Sequence, residues 1–428
     1  MNKNIKVLAA VIAGISIATT MYTSAFAAEN SNVIANNIAL ASNSSQENKS
    51  IITLDKIIDA TISNSSKLAL KSKEISLYRR KMKVQEKVND FYDDIGQTVY
   101  DFPYDKLEIQ RDQTEQSEDF LRDQIANDIT GKYNDIILKS IDLENAKKSL
   151  EIKNKELNML KTKATIGMAT GNQLDDKEIE INSLKDDITA KENSLKNSVD
   201  YLSILSNLNL ENYIFDRNVK YDVFRIDGSV DDYIDDKIEE YFKYNQDTID
   251  ISKDYFDELE DDDISDIMSE DIPSMPSKGS FISTDENGVV SFNSGNYALA
   301  LIDYQAKQQK YIQTLNGYGS YIEGRYTIEE AQVKLDDGKK NLKNGMKEMY
   351  STLLDLENKI KNLNDQIQST KTKLKYAKSQ VDIGMMTQNN YDAQVLKTKD
   401  MDKALVNLIN SYNSLKDSIE KPWIINAQ

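Results

Sequence analysis

Two stretches of this chain carry the same pattern, Ile-Gly-Met-x-Thr-x-Asn, at residues 166–172 and 383–389, 217 residues apart. Each copy interrupts sequence that otherwise reads as helix, and the frame around it is repeated too. Before the first copy, apolar positions step three and four apart through Leu143, Ala146, Leu150, Lys153, Leu157, Leu160 and Ala164. At the same offset of 217 these become Ile360, Leu363, Ile367, Thr370, Leu374, Ala377 and Val381. After it, Leu174, Ile181, Leu184, Ile188, Lys191, Leu195, Ser198 and Leu202 correspond to Tyr391, Thr398, Met401, Leu405, Leu408, Tyr412, Leu415 and Ile419. Such a seam is a coiled-coil pattern, so each copy is expected at the tip of an antiparallel helical hairpin. A glycine suits that tip because a helix is ended cheaply by a left-handed residue without a Cβ. Asn172 and Asn389 are expected to cap the returning helices, their side chains accepting from free backbone N–H groups.

The alignment runs without a gap from Tyr133, which falls on Tyr350, to the C-terminus. A helix from Tyr133 to Ile166 would extend about 50 Å at about 1.5 Å per residue. The expected organisation is a signal peptide at 1–27, a flexible leader at 28–52, and a first helical repeat at 53–208. A linker at 209–229 leads to a second repeat at 230–421 and a tail at 422–428. Helices are expected over 53–95, from about Gln113 to Ile166, from Asn172 to about Leu208 and from Val230 to about Glu258. Another begins near Tyr297, breaks at "NGYGSYIEG", and resumes from Tyr326 to Ile383; the last runs from Asn389 to Glu420 before Pro422. Only the second repeat has an acidic insert, 259–297. In it, residues 281–284 and 289–292 flank Asn287-Gly288, a tight-turn signal for a small β-hairpin.

Met1 to Lys6 is basic, an apolar run follows from Val7 to about Ala18, and Ala25-Phe26-Ala27 is a small-x-small site; together they read as a secretory signal. The chain has no cysteine and no histidine, which excludes disulfides, thiolate zinc sites and histidine-based triads. No cofactor and no catalytic residues are expected, since the Asp/Glu pairs lie on highly charged helix faces. The net charge is −18, or −20 once Lys3 and Lys6 leave with the signal. That balance argues against nucleic acid and against electrostatic docking on anionic membranes. The cluster from Asp257 to Asp263 offers oxygen ligands, but its spacing does not fit a calcium loop with glycine at the sixth position, and a solvated loop is the favoured reading. Trp423 is expected at a helix end or an interface.

Two halves, each with a Tyr-led start ("YNDIIL", "YSTLLD"), a heptad helix, an Ile-Gly-Met tip 34 residues on and a heptad return, resemble the outer-membrane efflux (TolC) family. The segments opening at Ile52 and Ser229 also resemble the family's first helices, with Asn64-Ser65 and Asn245-Gln246 where the family has Asn-Pro. The resemblance implies a mainly α fold of two TolC-like hairpin repeats. It further implies a homotrimer whose six hairpins form an export conduit. The tips Ile166, Gly167 and Met168, and Ile383, Gly384 and Met385, would then dock a membrane fusion (adaptor) protein of an ABC-type or similar exporter. The family places two membrane strands in each half. Here residues 90–112 and 316–326 offer no run of 9–11 alternating residues of the kind such strands need. No membrane β-barrel is expected, and membrane association would be indirect. The expected place is the cell envelope or the extracellular space. The alternative is a secreted coiled-coil spacer or binding protein of the envelope, with the insert as its contact surface.

Overall fold

A computed structural model describes residues 50–286 and 288–425. The expected signal peptide lies outside the described residues, as do most of the leader, Asn287 and the end of the tail. The described chain is mainly α, with helices α1 (Leu54–Ser63), α2 (Ser66–Asp94), α3 (Phe102–Thr165), α4 (Gly171–Ser206), α5 (Val230–Asp261), α6 (Ser294–Asp382) and α7 (Gln388–Glu420). Four strands of three residues complete it: β1 (Ser50–Ile52), β2 (Tyr213–Phe215), β3 (Ile282–Thr284) and β4 (Val290–Phe292). β1 pairs parallel to β2, with Ser50 opposite Tyr213, and β3 pairs antiparallel to β4, with Ile282 opposite Phe292. These are two separate two-stranded sheets, so no closed barrel forms among the described residues. No described helix is long and apolar enough to cross a membrane.

The expected hairpin in the insert is present. Gly288 turns at φ +79°, and the Asp285 carboxylate accepts from the Val289 N–H at 2.8 Å. Several expected boundaries move. The helix expected over 53–95 divides at Asn64-Ser65, where Ser65 Oγ takes the Leu68 N–H that the break leaves unpaired. α3 begins at Phe102, with Pro103 in its first turn, where a missing N–H costs no helical bond. The expected break at "NGYGSYIEG" does not occur, and α6 runs through it. The reason lies in packing: a Cβ on Gly324 would stand 2.2 Å from Cζ of Phe256, so this glycine admits an aromatic ring rather than ending a helix. Residues 50–52, the end of the expected leader, form β1.

Two compact units divide the chain. The first comprises Ser72–Gln116 and Phe242–Asn341. In it the C-terminal part of α2, the start of α3, the end of α5 and the start of α6 lie side by side in that order. Arg111 of α3 reaches the Met82 sulfur of α2 at 3.9 Å, and Tyr104 donates to Glu86 at 3.4 Å. Phe102 of α3 stacks on Tyr255 of α5 with centroids 4.4 Å apart. Gln246 of α5 donates to Gln332 of α6 at 3.1 Å. Phe102, Ile249, Tyr255, Phe256, Leu259, Tyr321, Ile328 and Leu335 are the core.

The second unit comprises Ser117–Tyr241, Leu342–Gln428 and the described part of Thr23–Lys71, and holds both hairpins. Its apolar core around α3 and α4 gathers Ile52, Ile57, Ile129, Tyr133, Ile136, Ile137, Leu202 and Leu210. The Tyr133 hydroxyl lies 3.1 Å from the Ile52 carbonyl and 2.9 Å from that of Asp216, tying the residue after each paired strand to α3. Around α6 and α7 the core is Leu353, Ile360, Leu363, Ile367, Leu405, Leu408, Tyr412 and Ile419. The linker packs against it through Tyr221 and Phe224, and the Phe224 N–H donates to the Tyr412 hydroxyl at 2.7 Å.

Candidate functional site: the two hairpin tips

The repeated seam is where the sequence places it: none of its positions in either copy is exposed. Where the first copy substitutes a lysine for an apolar residue, the charge is answered across the hairpin. Lys153 on α3 pairs with Glu180 on α4 at 2.7 Å, and Lys177 pairs with Glu156 at 2.8 Å. Lys153 and Lys177 hold the Glu180 carboxyl below its ordinary range. The two hairpins also meet each other along α3 and α7 through polar groups. Lys403 pairs with Asp142 at 2.6 Å, Lys399 with Glu144 at 2.8 Å, Lys155 with the buried Asp392 at 3.3 Å and Lys421 with Asp123 at 2.6 Å. Trp423 closes this ladder, donating from Nε1 to Asp123 at 2.8 Å and stacking on Phe120 at 4.2 Å. It is a helix-end contact, one of the two places expected for it. Little of this ladder is visible in the sequence, because an exposed charge and a cross-helix partner look alike there.

At the tips the two copies coincide bond for bond. Gly167 N donates to Ala164 O at 3.0 Å and Met168 N to Lys163 O at 2.8 Å. Gly384 N donates to Val381 O at 3.0 Å and Met385 N to Gln380 O at 2.8 Å. This pair of bonds is a Schellman closure, with glycine as the left-handed residue after the cap; both glycines stand at φ +77°. The returning helices start from threonine, not from the asparagines expected to cap them. Thr170 accepts from the Gln173 N–H at 3.4 Å while the Gln173 side chain accepts from the Thr170 N–H at 3.0 Å, a reciprocal capping box. Thr387 accepts from the Asn390 N–H at 3.3 Å. Asn172 and Asn389 fall two residues inside the helices, past the position with extended backbone where a cap belongs. The threonine was in the repeated pattern all along, and Thr-x-x-Gln is its signal.

The chemistry of the tips is apolar and outward. Ile166 and Met168 are 64% and 72% exposed, and Ile383 and Met385 are 68% and 76% exposed. In a Schellman closure the residue after the glycine commonly packs back on the residue three before the cap. Here those residues are Lys163 and Gln380, so neither methionine has an apolar seat on its own helix. Each tip therefore presents an isoleucine and a flexible, polarisable methionine to solvent on a rigid turn. Among the described residues no group of Asp and Glu is arranged to hold a metal. The acidic residues that open the insert are partly engaged: Arg325 pairs with Asp257 and Glu260, and Tyr100 donates to Asp262 at 2.6 Å.

No family model matches the chain. No curated protein matches it. Solved structures do. The CmeC outer membrane channel of Campylobacter jejuni is 13% identical, over 92% of this chain and 94% of that one, with a TM-score of 0.53. A membrane protein from Pseudomonas aeruginosa is 10% identical, over 86% of this chain and 92% of that one, with a TM-score of 0.50. The fold is TolC-like. At this identity the likeness is one of fold. It spans nearly the whole of both channels, although the described residues of this chain form no barrel.

Proposed function

We propose that the chain is a component of an export system in the cell envelope. In this reading it assembles with copies of itself into a TolC-like conduit, and its two hairpin tips dock a membrane fusion (adaptor) protein. The observation that carries this reading is the pair of tips: identical backbone closures, 217 residues apart, each holding an exposed isoleucine and methionine that pack on nothing of their own. Structural turns need the glycine and the threonine; they do not need those two apolar side chains. Exposed residues of this kind in matched positions suit apolar contacts with a partner's helical tip.

The test is capture of the host's adaptor by the mature chain. Met168→Asp with Met385→Asp places a charge in each apolar contact without touching either cap. Capture is expected to fall at least tenfold, with the thermal midpoint unchanged. Equal capture by the double variant removes the tips from the interface. A second reading, an envelope spacer that binds through the insert, draws on the exposed Met268, Ile272 and Met275. Deleting residues 269–292 separates the two readings: it spares adaptor capture under the first and abolishes envelope retention under the second.

A further inference from the structure

The first unit ends in two edges. In the row α2, α3, α5, α6, helix α2 buries Ile75 and Met82, and α6 buries Ile328, Ala331 and Leu335. On the roughly opposite side of each helix, at 100° per residue, stands a second apolar stripe that nothing in the unit covers. On α2 and just past it these are Leu77, Val84, Val88, Phe91 and Ile95, with Val84 62% exposed. On α6 they are Ile322, Tyr326 and Val333, with Tyr326 67% exposed. The spacings of seven, and of three and four, are those of a coiled-coil seam, and a solvated helix face has no need of them.

The two stripes differ in charge. Around the α2 stripe lie the exposed Lys73, Arg80, Lys81 and Lys87, in a stretch from Lys67 to Lys87 with eight cations and two acids. In a chain of net charge −18 this is an uncommon concentration. The α6 stripe is flanked by the exposed Glu323, Glu329, Glu330, Asp336 and Asp337. Lys334 and Lys340 also lie there, paired with Glu330 and Asp337, and leave the face acidic.

Levels along the row also agree. Met82 meets Arg111, the next residue, Asp112, lies near Asp247, and the neighbouring Gln246 meets Gln332. Each neighbour runs antiparallel to the last, so α2 and α6 run in opposite senses. Carrying those contacts across the row sets Val88 level with Tyr326, Phe91 with Ile322, and Lys81 and Lys87 on either side of Glu330.

We infer that the α2 edge of one copy packs antiparallel against the α6 edge of a second copy of this chain. Such a contact joins two different surfaces, so it repeats from copy to copy and closes a ring when the rotation allows. The inference rests on the self-assembly in the reading above and names the surface that performs it.

The absence of cysteine makes a direct test available. Val88→Cys and Tyr326→Cys are prepared as separate proteins, mixed and oxidised. A covalent dimer is expected from the mixture and from neither protein alone. Lys81→Glu with Lys87→Glu is expected to lower its yield several-fold, and Glu329→Lys with Glu330→Lys in the partner to restore it. Cross-linking of Val88→Cys to itself overturns the inference in favour of a symmetric contact. Oligomers of defined size without the mixed cross-link overturn this surface and leave self-assembly standing. A chain that stays monomeric at tens of micromolar overturns both. Loss of adaptor capture with the cross-link intact touches neither.

Discussion

Gly167 and Gly384 stand at φ +77°, and a Cβ built on either would meet nothing within 4 Å. Their substitution cost is therefore conformational rather than steric. Gly167→Val or Gly384→Val is expected to cost about 1–2 kcal/mol each, since a left-handed residue with a branched Cβ is strained; thermal unfolding reads it, and an unchanged midpoint removes the cap argument. Thr170→Ala removes half of a capping box and is expected to cost about 1 kcal/mol, while Asn172→Ala in the first turn is expected to cost almost nothing. A reversed order would restore the asparagine as cap. Asp402 on α7 behaves differently. It is 8% exposed, its Oδ1 has no hydrogen-bond partner, and burial raises its pKa above 3.8, against the pull of Lys371 and Lys399. An acid whose folded pKa is raised loses stability as pH climbs past its unfolded value and regains it as pH falls. Asp402→Asn is therefore expected to gain roughly 1 kcal/mol at pH 7, a gain that shrinks to nothing toward about pH 3. A difference that is independent of pH would place the effect in packing, not charge.

Helices and their seams were legible because the 3–4 spacing survives even where single residues change, as at Lys153 and Thr370. The tips were legible because a turn pattern was written twice. The glycine-rich stretch 316–324 misled for the opposite reason. Glycine has no side chain to say whether it serves a turn or a close contact, and only the ring of Phe256 on another helix decides that Gly324 serves contact. The same limit hid the polar ladder between α3 and α7 and the edge stripes of α2 and α6, all of which depend on which helices become neighbours. Gly324 gives this point a measurement. Gly324→Ala forces the Phe256 ring aside and is expected to cost about 1–3 kcal/mol, the range for overpacking a filled site. Phe256→Leu, which removes the ring atoms in question, is expected to make the alanine far less damaging. A cost that persists in the double variant would mean that the glycine matters for backbone reasons instead.

Assembly of several such chains brings together bodies of net charge −18 each, more once the basic leader segment is gone. Long-range repulsion among them opposes the ring, whereas the α2 and α6 edges attract at contact. Salt acts unequally on the two. The screening length falls from about 30 Å at 10 mM to about 8 Å at 150 mM, so repulsion between whole chains is lost first while charges at touching distance keep most of their attraction. Sedimentation is therefore expected to show more oligomer at 150 mM salt than at 10 mM. The Lys81→Glu, Lys87→Glu variant removes the local attraction and adds four negative charges per chain, two for each reversal. It is expected to assemble less at every ionic strength and to depend on salt more steeply. Oligomer that dissolves as salt rises from 10 to 150 mM would show the opposite balance: the edges would then be held by charge alone, and the apolar stripes between those charges would not be where the copies meet.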